Sequence, residues 1–123
     1  MYDNDADDRP LIVREADAVY ESVRAINHAT IQTNSIPAPV VYDFLGNAKT
    51  AAGHGMHQAL SQVADGLLRS LDTHDVYEYE DRDPVQSVAT ATDHLTRAAG
   101  LARQLGVEIA QAQDAIAGQG YRD

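Results

Sequence analysis

The last third of the chain repeats an apolar or small residue every four and then every three positions, and this repeat constrains the fold more than any other feature. It is carried by Ala91, Leu95, Ala98, Ala102, Leu105, Ile109, Ala112 and Ile116. Because an α-helix has about 3.6 residues per turn, this spacing places all eight residues on one helix face. A face of that length must be covered by other helices, so the pattern predicts a helix-packing surface rather than a catalytic pocket.

The composition favours close-packed helices as well. The chain has 123 residues, which fits one domain, with no cysteine, no tryptophan and a single phenylalanine, Phe44. The core must therefore be aliphatic and rich in alanine, and disulfides and thiolate metal sites are excluded. No apolar run is long enough to span a membrane.

The charge balance argues against direct binding of nucleic acid. The net charge is −10, and the basic residues are eight scattered arginines and one lysine, Lys49. Nucleic-acid binding needs clustered basic side chains, which this chain lacks. Residues 1–8 are acidic, have no apolar core, and are expected to form a disordered tail without a secretory signal. We therefore expect a cytoplasmic protein.

Three helices are predicted, over about residues 9–34, 39–72 and 84–117. Asp8 is expected to cap the first helix, and Pro37 and Pro39 separate it from the second. The third is expected to begin at Asp83 as N-cap, with Gln86 completing a capping box. A kink is expected near Gly53 in the second helix, and residues 73–83 form an acidic linker. The first helix carries its own repeat, formed by Ile12, Ala16, Val19, Val23, Ile26 and Thr30.

These elements predict an all-α fold, an antiparallel up-down-up bundle of three helices that forms one domain over residues 9–120. At about 1.5 Å per residue, the first helix is roughly 35 Å long and the other two roughly 50 Å. The shorter helix leaves part of the long pair uncovered, so we expect a homo-oligomer or a helical protein partner. The residues predicted to take part in helix–helix association are Ala48, Ala52, Gly55, Leu95, Ala98, Ala102, Leu105 and Ile109. For the small residues of the second helix, the other interpretation is packing within the chain against the alanine-rich third helix.

Two histidines are the only candidates for a metal site. His54 and His57 stand three residues apart on one helix face and would bind a metal if carboxylates converged on them, with His28, Asp93 and His94 as further ligands. Helical di-iron sites use paired Glu-x-x-His motifs, which the chain lacks. The alternative interpretation is that both histidines are polar surface positions, and we assign neither a metal nor a cofactor.

Other chemical motifs are absent from the sequence. There is no nucleophile motif of the Gly-x-Ser-x-Gly type and no phosphate-binding glycine loop after a strand. The acids Glu78, Glu80, Asp81 and Asp83 are interpreted as a solvated loop, with contact to a basic partner or mimicry of a nucleic-acid backbone as the alternatives. We therefore predict no active site.

Two resemblances accompany this interpretation. The segment 36–47, the segment 93–99 and the ending 118–122 resemble a group of small actinobacterial proteins of the Streptomyces type, which implies a helical fold and no established activity. Phe44-Leu45-Gly46 and the pair Tyr77 and Asp81 resemble the Trp-x-Gly and Tyr-x-x-x-acid motifs of the WXG100 helical hairpins exported by type VII secretion. That likeness implies a hairpin turn at Gly46.

The sequence thus predicts a non-enzymatic interaction or scaffold protein that acts through helix–helix association. Two alternatives stay open at this point. One is a WXG100-like secretion substrate, and the other is a metal-binding helical-bundle enzyme that uses His54 and His57.

Overall fold

The computed structural model describes residues 7–122, apart from the side chain of Asp81. The tail predicted for residues 1–8 therefore lies, except for Asp7 and Asp8, outside the described residues. The described residues form helices and no strand, which confirms the all-α class. The chain divides between Ile36 and Pro37 into two compact units. The single three-helix bundle predicted from the sequence stays a prediction.

The first unit contains one helix, α1 (Leu11–Ile31). Its first turn is closed by the carbonyl of Pro10, which accepts from the backbone N–H groups of Val13 and Arg14 at 3.0 and 3.1 Å. The predicted cap at Asp8 is wrong, because the helix begins at Leu11 without a side-chain cap. No residue of α1 is buried, so its apolar repeat is exposed along its whole length.

The residues before α1 are held by a local ion pair. The guanidinium of Arg9 donates to the carboxylate of Asp7 at 2.6 and 2.9 Å, and the backbone N–H of Arg9 donates to it at 3.0 Å. These hydrogen bonds favour the ionised form and lower the pKa of Asp7 below its usual value.

The second unit is a helical hairpin. Its first arm consists of α2 (Ala38–Ala48), a π-helical segment (Lys49–Gly55, called the π segment below) and α3 (Met56–Thr73). Its second arm is α4 (Pro84–Ala115), which packs against all three parts of the first arm. The kink expected near Gly53 is a π-helix instead, in which the backbone N–H of Met56 donates to the carbonyl of Ala51 five residues earlier.

The arms are joined by residues 74–83, which contain one 3-10 turn (Tyr79–Asp81). The hairpin turn at Gly46 that the WXG100 likeness implies is not formed, because Gly46 lies inside α2 and the chain reverses in this linker. Asp83 caps α4 as predicted, since its Oδ1 accepts from the backbone N–H of Val85 at 3.0 Å. The reciprocal half of the capping box is not formed, because Gln86 donates to Thr90 at 3.5 Å.

Candidate functional site

The face of α4 that packs on the first arm is the best-defined surface of the hairpin, and we call it the seam. Along the helix its residues follow one another after four and then three positions. They are Val88, Thr92, Leu95, Ala99, Ala102, Gly106, Ile109 and Gln113, all of them buried or half-buried. Three of them, Ala99, Ala102 and Gly106, are alanine or glycine, and among the described residues no large side chain is fully buried. Around these small residues the hairpin is therefore held by close approach of two backbones more than by bulky side chains.

The seam is turned by one position from the repeat that stands out in the sequence. Leu95, Ala102 and Ile109 belong to both. Ala91, Ala98, Leu105 and Ala112 instead follow one edge of the seam, where Ala91 and Ala98 are half-buried and Leu105 and Ala112 are exposed. On the first arm, Ala48 and Ala52 are half-buried and Gly55 is exposed. The predicted interface residues thus fall on the seam and on one flank of it.

The closest contact between the arms joins Gly53 of the π segment to Gly106 of α4. A Cβ added to Gly53 would lie 2.5 Å from the Cα of Gly106, and one added to Gly106 would lie 3.0 Å from the Cα of Gly53. A side chain at Gly53 would therefore clash with the backbone of Gly106, and one at Gly106 would force the two backbones slightly apart. Gly106 was not predicted, although the small residues Ala99, Ala102, Gly106 and Ala110 share a helical spacing that could have indicated it.

A polar contact lies next to this crossing. The only lysine, Lys49, donates from Nζ to Oε1 of Gln113 at 2.6 Å, and Nε2 of Gln113 donates to the carbonyl oxygen of Tyr42 at 3.2 Å. Gly46 leaves the space that Gln113 occupies, since a Cβ there would lie 2.9 Å from its Nε2. Gln113 is buried, and both its amide oxygen and its amide nitrogen form hydrogen bonds, as buried polar groups generally require.

The two candidate metal ligands lie in different surroundings. Nδ1 of His57 is 2.8 Å from the carbonyl oxygen of Ala99, and because a carbonyl only accepts, Nδ1 carries the proton. His54 is exposed on the π segment. His94 instead accepts from Arg97 at 3.2 Å. Within residues 7–122 no three histidine or acidic side chains group in a way that could hold a metal ion.

The acidic linker is mostly exposed. The rings of Tyr77 and Tyr79 make an edge-to-face contact at 5.7 Å, and both side chains face water rather than packing on the helices. Glu80 adopts a left-handed backbone conformation with φ of 65°, and Oε2 of Glu78 is buried with no hydrogen-bond partner among the described residues. Arg82 approaches Glu80 at 3.7 Å, which is an exposed pair of little energetic weight.

Two of the surface clefts each lie along a single helix. One, of about 500 Å³, is lined by residues of α1 alone, and another, of about 510 Å³, by residues of α4 alone, including Leu101, Leu105 and Glu108. Each cleft is an open depression along a single helix, so neither brings functional groups together from different elements. The Leu101 and Leu105 side chains make the second cleft an apolar surface.

None of the helices that the structure describes combines the length and the apolar character that a bilayer crossing requires. Comparison of the chain with models of protein families, with curated proteins and with solved structures finds no match.

Proposed function

We propose that this protein is a non-enzymatic helical interaction protein that associates through one side of its hairpin, with a second copy or with another helical protein. The observation that supports the proposal is the set of apolar side chains left exposed along one edge of the seam. Leu101 is 64% exposed and Leu105 is 48% exposed, and both extend from α4 on that edge. Isolated apolar residues are common on protein surfaces, but a row of them along a helix indicates an interface.

The first arm continues the same apolar side. In an antiparallel helix pair, the residue directly before each seam position lies on one side of the pair. This side is the same for both helices. On the first arm these positions and their outer neighbours include Val41, Phe44, Ala48, Met56, Ala59 and Val63, and on α4 they include Ala91, Ala98, Leu101, Leu105 and Ala112. On α4 the polar residues Ser87, His94 and Glu108 interrupt this row. Helices that carry apolar residues on a seam and on one flank are typical of bundles with more than two helices.

The opposite side of the hairpin has a different chemistry. The corresponding positions there include Asp43, Asp65, Asp72, Asp93 and Asp114, which are all exposed. The apolar residues Leu68 and Val107 and the exposed basic residue Arg103 interrupt this acidic side. Since charged side chains lose hydration when they are buried, the apolar side is the better surface for association.

The three-helix arrangement is part of the same proposal. α1 has an exposed apolar repeat that includes Val19, Val23 and Ile26, and an amphipathic helix of this kind is stabilised mainly by packing. The proposal also includes a cytoplasmic location, which cell fractionation tests.

Size-exclusion chromatography with light scattering tests the association directly. We expect the full chain at micromolar concentration to have the mass of a dimer or a larger complex. Leu105→Glu is expected to weaken association at least about tenfold, because it buries a charge in the interface. Val107→Glu is the matched control, since Val107 is 49% exposed on the same helix but faces the acidic side. A monomeric wild-type chain, or equal effects of the two substitutions, would contradict association of copies through this side.

Capture of a partner from the source cell tests the second form of the proposal. Wild-type protein, Leu105→Glu and Val107→Glu are used side by side as bait. A helical protein that binds the wild type and Val107→Glu but not Leu105→Glu is the expected result. Binding that is unchanged by Leu105→Glu would assign the interaction to another surface.

A further inference from the structure

The residues of the first arm that face α4 change their spacing at the π segment. Three consecutive steps of four residues join Leu45, Lys49, Gly53 and His57. Lys49 bonds to Gln113, Gly53 contacts Gly106 and His57 bonds to the carbonyl of Ala99, so each of the last three demonstrably faces α4. Beyond His57 the steps become three and four, through half-buried or buried residues at Leu60, Ala64, Leu67 and Leu71.

This spacing contains one residue more than a regular helical hairpin requires. Packed α-helices present a residue to their partner after alternating steps of three and four, which makes seven residues for two turns. From Lys49 to His57 the chain instead uses eight residues. The extra residue falls inside the π segment, whose hydrogen bond from Met56 to Ala51 encloses one residue more than the α-helical bond does.

We propose that the π segment is a one-residue insertion in the hairpin repeat, and that it holds α3 in the rotation that buries its leucines. Each residue of an α-helix advances by about 100°, so an α-helical segment of the same sequence would turn α3 by about that angle. Met56, Ala59, Val63, Gly66 and Ser70 would then face α4. The rotation present in the structure places Leu60, Leu67 and Leu71 there instead, which removes more apolar surface from water.

The glycine crossing supports the same assignment independently. If this segment were α-helical, Ala52 rather than Gly53 would face Gly106. The contact between Gly53 and Gly106 leaves no room for a Cβ, as the distance of 2.5 Å shows. In the full-length sequence the backbone can therefore approach α4 at this point because the π segment keeps Gly53, and not Ala52, on the seam.

Deletion of Ala51 tests the proposal, because Ala51 is exposed and its removal restores seven residues between Lys49 and His57. We expect a continuous α-helix from Ala38 to Thr73 that keeps the Lys49–Gln113 and His57–Ala99 contacts. Its Tm should lie no more than about 4 °C below that of the wild type at equal protein concentration. Deletion of the exposed Gln62 is the matched control, since it shifts Ala64, Leu67 and Leu71 off the seam. This variant should lose more than about 10 °C.

The proposal is overturned if the Ala51 deletion lowers the Tm by more than about 4 °C, or if its solved structure retains a π-helix. Backbone chemical shifts of the full chain distinguish the two helix forms without reference to activity. The test does not depend on association, because an uninterrupted first arm presents the same residues on both sides of the hairpin. A failure here would thus leave the proposed function standing, and the reverse also holds.

Discussion

The two ends of the hairpin are built on opposite principles. At one end, which we call the glycine half, α2 and the π segment meet the second half of α4 through Gly53, Gly106 and the Lys49–Gln113 hydrogen bond. At the other, the leucine half, α3 meets the first half of α4 through Leu60, Ala64, Leu67 and Val88. The glycine half gains from backbone proximity and a satisfied polar contact, whereas the leucine half gains from burial of apolar side chains.

This difference predicts which kinds of substitution each half tolerates. The glycine half has no space, so adding an atom is costly, while the leucine half has side chains to lose, so removing atoms is costly. Substitutions that add an atom in one half or remove atoms in the other therefore separate the two halves. The effect of each is the change in the free energy of unfolding in urea, followed by circular dichroism of the full chain at fixed concentration.

Gly53→Ala should have the largest effect, a loss of about 3 kcal/mol, because its Cβ meets the backbone of Gly106 and an α-helix cannot move aside as a side chain can. Gly100→Ala on α4 is the control, since a Cβ there meets nothing within 4 Å. We expect Gly100→Ala to gain roughly 0.5–1 kcal/mol from helix propensity alone. Equal and small effects of both substitutions would show that the arms are not in close contact.

Leu67→Ala tests the leucine half and should cost about 2 kcal/mol, near the lower end for a leucine because the residue is half-buried. Its neighbour Leu68 is 53% exposed, and Leu68→Ala should cost less than about 0.5 kcal/mol. A larger loss for Leu68 than for Leu67 would mean that α3 faces α4 with a different side.

Removing one partner of the Lys49–Gln113 contact, as in Gln113→Leu, should lower the free energy of unfolding by about 1–2 kcal/mol. The reason is that Lys49 then loses its hydrogen-bond partner next to a buried crossing. The double variant Lys49→Met with Gln113→Leu replaces both polar groups by apolar ones of similar shape. It should recover most of the loss, which a double-mutant cycle measures as coupling between the two positions. Additive losses would mean that the hydrogen bond does not stabilise the glycine half.

The sequence was sufficient for the all-helical class but not for the rotation of α4. Hydrophobicity alone favours the repeat through Ala98 and Leu105, because the competing seam positions include Thr92, Gly106 and Gln113. Where backbones meet closely, small and hydrogen-bonded residues are favoured over apolar ones, so the stripe of highest hydrophobicity lies beside the contact and not at its centre.

Two further features could be predicted only in part. The first arm shows steps of four residues from Leu45 to Gly53, which is the trace of the extra residue, but a kink explains such a drift equally well until the backbone is known. The pairing of Lys49 with Gln113 joins residues 64 positions apart and leaves no local pattern. Likewise, the positive φ of Glu80 could not be predicted from residue propensity, because the surrounding fold imposes such a conformation.

The smallest effect concerns the two ends of α4, which lie in different halves. Asp83 caps the helix in the leucine half through the backbone N–H of Val85, so Asp83→Ala should cost about 1 kcal/mol. Asp114 lies in the last turn in the glycine half, where a negative charge opposes the helix dipole, so Asp114→Ala should be neutral or gain a few tenths of a kcal/mol. Hydrogen exchange should show faster opening near Val85 in Asp83→Ala and unchanged protection at Gly106. Faster exchange at both sites would mean that the two halves unfold together and that their difference is confined to packing.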